Sequence, residues 1–299
     1  GGPFLDEPKD LSTVTVAEGG AVTLAEGVHC TVTPPAGWDG WGAEDEPLKF
    51  TVTPEAGYEF YKLADGDDES FVPSIAPQRP FTALTAYCRT RRTVAASTSA
   101  ELQAAIDAAS PGDILEVSGA NCELDATLNV TNEVKLVASP STLFYKKQGV
   151  KTMAIKINQR NAVVSGVTLT NMYDQASYST RGVGVYVVNG TLKDSRIIGL
   201  KSSHYYLALE NGLIRNCEIC NCTGSYYNDP PGSVLVAGGI CDGLKVHHNT
   251  SDYSPGVAIT GGELRNAAIY ANTQKKEQQY RNCAGIYAKG GKVWNCTVY

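Results

Sequence analysis

A degenerate phrase, Gly-x-[Leu/Ile/Val]-x-[Asn/Asp]-x-x-[Ile/Val], recurs through the last 110 residues of this chain and constrains its fold more than any other feature. The copies are Gly190 to Ile197 (GTLKDSRI), Gly212 to Ile219 (GLIRNCEI), Gly262 to Ile269 (GELRNAAI) and Gly291 to Val298 (GKVWNCTV). Two looser copies fit, Ala162 to Leu169 and Gly243 to Thr250, the latter with one residue inserted so that His248 takes the anchor place. Measured at the fifth position, the intervals are 28, 22, 32, 18 and 29 residues. A constant phrase with variable connections is the pattern of a solenoid.

Alternation around the copies, as in Val183-Gly184-Val185-Tyr186-Val187 and Val234-Leu235-Val236, predicts short strands. A half-buried strand followed by a Gly or Asn turn, repeated at about 20 to 30 residues, is the unit of a parallel β-helix in which each coil covers the last. Asp194, Asn216, His248, Asn266 and Asn295 then form a structural ladder along one edge, stabilising turns that need positive φ.

The entry segment, Thr98 to Val117, carries a capping box (Thr98 with Glu101), an apolar stripe (Leu102, Ala105, Ile106, Ala109) and a Pro111-Gly112 stop. Such a helix from Ser99 to Ala109 would cover the first coil, whose strands otherwise lack a partner. With this helix and the repeated phrase, residues 93–299 resemble the pectin lyase-like superfamily, which implies an all-β right-handed parallel β-helix of about seven or eight coils. That superfamily holds lyases, hydrolases, adhesins and structural domains, so the resemblance speaks to fold more than to activity.

Residues 1–92 differ in texture. Cys30 to Trp38 (CTVTPPAGW) and Phe50 to Tyr58 (FTVTPEAGY) repeat each other twenty residues apart, each an alternating strand stopped by a Pro-x-Ala-Gly turn. They predict a small antiparallel β domain, and the wording resembles the short β-repeats of internalin-type bacterial surface proteins. The acidic run Asp65 to Glu69 reads as a solvated turn.

A net charge of −6 and a pI near 5.3 argue against nucleic acid or anionic membrane as partner. No apolar run is long enough to span a bilayer and no leader is present, so an extracellular or cell-surface location rests on the resemblance. Nine cysteines is an odd number. Cys217 and Cys296 share a slot with Ser195 and Ala267, which predicts that the slot demands small buried residues. Cys217, Cys220, Cys222 and Cys241 have some look of a zinc set, but alternation puts Cys220 and Cys222 on one face and Cys217 on the other, so no metal and no cofactor is expected. Cys30 with Cys88 is the disulfide candidate, tying the first domain's sheet together.

No Asp-Asp or Asp-x-Asp occurs after residue 93, and no spacing selects the paired carboxylates, roughly 5 to 9 Å apart, of a glycosidase, so no catalytic residue is assigned. The inter-coil loops carry Tyr beside basic residues: Tyr173, Tyr178 and Arg181; Lys201, His204, Tyr205 and Tyr206; Tyr226 and Tyr227. Those rings suit stacking on sugars, and the cations suit uronate carboxylates. The chain ends inside a copy of the phrase, so either more polypeptide follows or a second copy of the chain meets the open coil head-to-tail. The reading is a non-catalytic extracellular structural or adhesive protein, a stalk or filament subunit binding polysaccharide through its loops. The alternative is a polysaccharide lyase or glycoside hydrolase acting on acidic polysaccharide.

Overall fold

A computed structural model describes residues 19–43, 46–77, 79–147, 153–171, 183–202, 204–224, 232–276 and 283–299. The chain is an all-β right-handed parallel β-helix with one α-helix, preceded by a small β unit. It divides into two compact units, Gly1–Arg89 and Thr90–Tyr299. The division lies inside the strand Phe81–Ala95, because Arg91 to Ala95 pair in parallel with Ile114 to Ser118 and so belong to the solenoid.

In the first unit the two segments that repeat at twenty residues pair with each other, Cys30–Thr33 running antiparallel to Thr51–Pro54. Gly19–Leu24 pairs in parallel with the start of Phe81–Ala95, so the unit is mixed rather than purely antiparallel. Its core is Val22, Phe50, Leu63, Phe81 and Leu84. The acidic run is a hairpin turn, and three of its carboxylates pair within the unit. Asp65 accepts from the backbone of Thr82 and Ala83, Asp68 meets Arg79 at 2.7 Å, and Glu69 meets Lys62 at 2.6 Å. Cys30 and Cys88 are buried in hydrogen-bond contact as two thiols, not as a disulfide, and burial pushes the Cys88 thiol up to about 12.

In the second unit each coil passes through stacked parallel strands. One stack is Leu128–Val130, the first part of Ile155–Ser165, the first part of Val185–Lys193, Leu207–Leu209, Val234–Val236, Val257–Ile259 and Ile286–Ala288. The next contains Ile114–Ser118, Lys135–Ala138, Leu213–Arg215, Ile240–Asp242, Glu263–Arg265 and Lys292–Trp294. A third runs from Asn121–Leu124 through Arg196–Ile198, Glu218–Cys220, Lys245–His247 and Ala268–Tyr270 to Thr297–Val298, and a short fourth joins Lys201–Ser202, Thr223–Gly224, Thr250–Ser251 and Thr273–Gln274. The first three stacks send aliphatic rows inward, for example Ile197, Ile219, Val246 and Ile269, into one continuous core. Burial at roughly 25 cal/mol per Å² is what offsets the ordering of so many short strands.

The helix spans Ser99–Asp107 with the expected capping box, and Leu102 and Ile106 are fully buried against the first coil. Gln103 clamps both backbone groups of Asn129, and the Asn132 amide donates to the Ile106 carbonyl, so the helix satisfies the coil it covers.

The recurring phrase has a physical basis at two points. Gly212 has φ +113°, and a Cβ there would lie 2.4 Å from the Gly190 carbonyl oxygen; the phrase glycines stack backbone on backbone from coil to coil. The anchor residues Asp194, Asn216, Asn266 and Asn295 all have φ near +50° and turn the chain between the second and third stacks. The Asn216 amide donates to Asp194 at 3.3 Å, the Asn266 amide to Asp242 at 2.7 Å, and the Asn295 amide to Asn266.

His248 is not in this ladder. The cross-coil register Glu218↔Lys245↔Ala268 puts Gly243, at φ +72°, in the anchor place, so the intervals around it are 27 and 23 residues. The true copy is Gly239-Ile240-Cys241-Asp242-Gly243-Leu244-Lys245-Val246, with Cys241 as its apolar third residue and no insertion. Leu244 accordingly fills the slot of Ser195, Cys217 and Ala267, fully buried, so that slot demands burial and not smallness. His248, with φ +53°, belongs to a second corner shared with Asn221 and Ala271. This corner also corrects the cysteine faces: the left-handed residue Asn221 interrupts alternation, leaving Cys217 and Cys222 in the core and Cys220 outside it.

Candidate functional site

The third stack carries the chemistry on its outer face, where alternation turns Arg196, Glu218, Cys220, Lys245, His247 and Tyr270 away from the core row. Their positions are set by register and not by loops. Glu218 lies between Arg196 one coil before and Lys245 one coil after, and Cys220 lies between Ile198 and His247.

Both oxygens of Glu218 are engaged: Oε2 accepts from Arg196 Nε at 2.6 Å, and Oε1 is 2.9 Å from His247 Nε2. These partners, His247 first, hold the Glu218 carboxyl below its usual range. His247 Nδ1 lies 2.8 Å from His248 Nδ1, and its ring stacks on Tyr270 with centroids 4.7 Å apart, as Tyr270 stacks on Tyr299 at 5.1 Å. A depression of about 450 Å³ opens beside this row, lined by Asp194, Arg196, Asn216, Glu218, Gly243 and Lys245. Lys245 is exposed there, with no carboxylate partner among the described residues. Glu218, Cys220 and His247 also bring a carboxylate oxygen, a sulfur and an imidazole nitrogen within 4.8 Å of one another.

The loop residues fare differently. Tyr173, Tyr178, Arg181, Tyr226 and Tyr227 lie outside the described residues. Tyr206 is fully buried in the solenoid core, and Tyr205, 6 % exposed, packs with Val183 and Ala208, so neither ring is free to stack on a sugar. The reason is the strand that follows them: Leu207–Leu209 is buried throughout, and the two tyrosines continue that row. Lys201 is exposed and His204 half-buried, its ring 5.1 Å from Tyr205.

A second structural ladder escapes a search for the phrase. Asn249, fully buried, accepts from the Cys222 backbone N–H at 3.0 Å, donates to the Ile219 carbonyl at 3.0 Å, and meets the Asn272 amide oxygen at 3.0 Å. Asn272 repeats the pattern by donating to the Val246 carbonyl. Its sequence signal is weak: Cys222-Thr223, Asn249-Thr250 and Asn272-Thr273, each after a left-handed residue.

No family model matches the chain, and no curated protein matches it. Among solved structures it is similar to a mutant of a PL6 family alginate lyase, AlyGC, at 12% identity and a TM-score of 0.34. The alignment covers 71% of this chain and 40% of that one, so this chain spans less than half the length of the protein it matches. At that level the likeness carries no argument about activity. No helix among the described residues is long and apolar enough to cross a membrane.

Proposed function

We propose that the protein is an exported solenoid that binds an acidic polysaccharide on the outer face of its third strand stack and does not cleave it. The observation that carries this reading is the double engagement of Glu218. A carboxylate held by Arg196 and His247, with its pKa depressed, is poorly suited to take or give a proton near neutral pH. Arg196 and Lys245 beside it offer cations fixed by a rigid sheet, and the stacked His247, Tyr270 and Tyr299 rings offer an apolar edge next to them. Ligand carboxylates would pair with Lys245 and share Arg196.

The test is retention on immobilised polyuronate, with release of unsaturated ends followed in the same samples. We expect retention that falls with salt and weakens about tenfold in Lys245→Ala, the loss of roughly 1.4 kcal/mol of pairing, without product. Unsaturated uronides released by the unaltered chain would overturn the non-catalytic reading in favour of a lyase.

A further inference from the structure

We infer that Glu218, Cys220 and His247 form a site for a single zinc-like transition-metal ion. The inference is independent of saccharide binding. Three different ligand types converge here because of the fold: Glu218 and Cys220 are two apart on one strand face, and Cys220 is the register partner of His247 on the next coil. Their ligand atoms already lie within 4.8 Å of one another. A tetrahedral zinc bound to N, O and S at about 2.0 to 2.3 Å sets those atoms about 3.3 to 3.7 Å apart. Binding therefore needs a modest closing of the sulfur and a slight opening of the 2.9 Å Glu218–His247 contact, both within the reach of side-chain torsions. Imidazole, thiolate and carboxylate together suit zinc better than calcium or magnesium, which take oxygen.

The surroundings are those of ligands held in place from behind. Arg196 keeps Glu218 Oε2, leaving Oε1 for the ion, and His248 lies against the far nitrogen of His247, where a metal-bound imidazole directs its remaining N–H. Glu218 and His247 are partly exposed at 26% and 13%, giving the ion an approach, whereas Cys220 is buried beneath them. Binding forms a metal–sulfur bond as the Cys220 thiol loses its proton to solvent, and the fourth position is left for water. Of the other solenoid thiols, Cys122, Cys217, Cys222 and Cys241 lie in the core and are not part of the set.

The experiment titrates the reduced, chelator-stripped chain with Zn²⁺ and, in parallel, with Co²⁺ as a spectroscopic probe, without saccharide. One equivalent should bind with proton release, and the cobalt form should show a thiolate-to-metal charge-transfer band. Cys220→Ser should abolish the band, and His247→Gln should weaken binding at least tenfold, while Cys241→Ala should keep the band. Circular dichroism establishes that each variant is folded, and if Cys220→Ser is not, His247→Gln on the sheet surface decides. The assignment is overturned if no stoichiometric ion binds, if the band survives in folded Cys220→Ser, or if His247→Gln binds as tightly as the parent.

Discussion

The solenoid turns at two corners that use asparagine in opposite ways. At the first, Asp194, Asn216, Gly243, Asn266 and Asn295 face solvent, and what they share is positive φ; Asp, Asn and Gly are interchangeable because each tolerates that conformation. At the second, the left-handed place is held by residues as different as Gly199, Asn221, His248 and Ala271, while Asn249 and Asn272 lie one residue later and turn inward. The exposed corner is fixed by backbone geometry. The buried corner is fixed by inward hydrogen bonds, from Asn249 to the Ile219 carbonyl, from Asn272 to the Val246 carbonyl and, more weakly, from the Cys222 thiol to the Ile197 carbonyl. One residue type thus has a conformational role on the outside and a bonding role within.

The largest effect expected from this contrast is at Asn249. Leucine there is close in volume but strands the Cys222 N–H away from water and removes the side-chain bond to the Ile219 carbonyl. At about 1 to 3 kcal/mol for each buried group left unpaired, Asn249→Leu should lose about 3 kcal/mol in urea unfolding. A loss below 1 kcal/mol would mean the inner ladder is dispensable and the two corners are alike. Gly212→Ala tests the outer geometry next. Its φ of +113° and the 2.4 Å approach to the Gly190 oxygen leave no room for a methyl group, so the variant should lose about 2 kcal/mol. Stability equal to the parent would show that the glycine stack relaxes freely.

The same contrast explains what could be read from the amino-acid sequence. At the outer corner the positive-φ place is held by Asp, Asn or Gly throughout, so that corner and the glycine stack leave a repeating phrase, and with it the β-helix, whereas the mixed residues at the second corner's left-handed place leave none. Inward hydrogen bonds leave almost none: Cys222 and Asn249 occupy one slot with different chemistry. The site suffered from a single misplaced anchor. With His248 set against Asn216, His247 does not align with Cys220, and only Gly243 as anchor brings Glu218, Cys220 and His247 together. Tyr205 and Tyr206 misled for another reason, since periodicity does not distinguish an aromatic that leads into a buried strand from one in a solvated loop.

The smallest expected effect concerns the charge in the outer corner. Asp242 accepts the Asn266 amide at 2.7 Å and lies 3.3 Å from Arg265, and these contacts, the amide first, hold its carboxyl below the usual range. A depressed folded-state pKa means a stabilising contribution that is complete above the ordinary carboxylate value of about 3.9 and is lost as pH falls through the lower folded value. Asn at this position still accepts the Asn266 amide but has no charge to titrate. Asp242→Asn should therefore be slightly less stable than the parent at neutral pH, and the gap should close as the pH is taken below about 4, in unfolding curves collected across that range. Salt should narrow the gap at neutral pH, because the Arg265 contact is partly exposed. A gap that stays constant to low pH would assign the effect to packing, and the outer corner would then depend on side-chain fit as the inner one does.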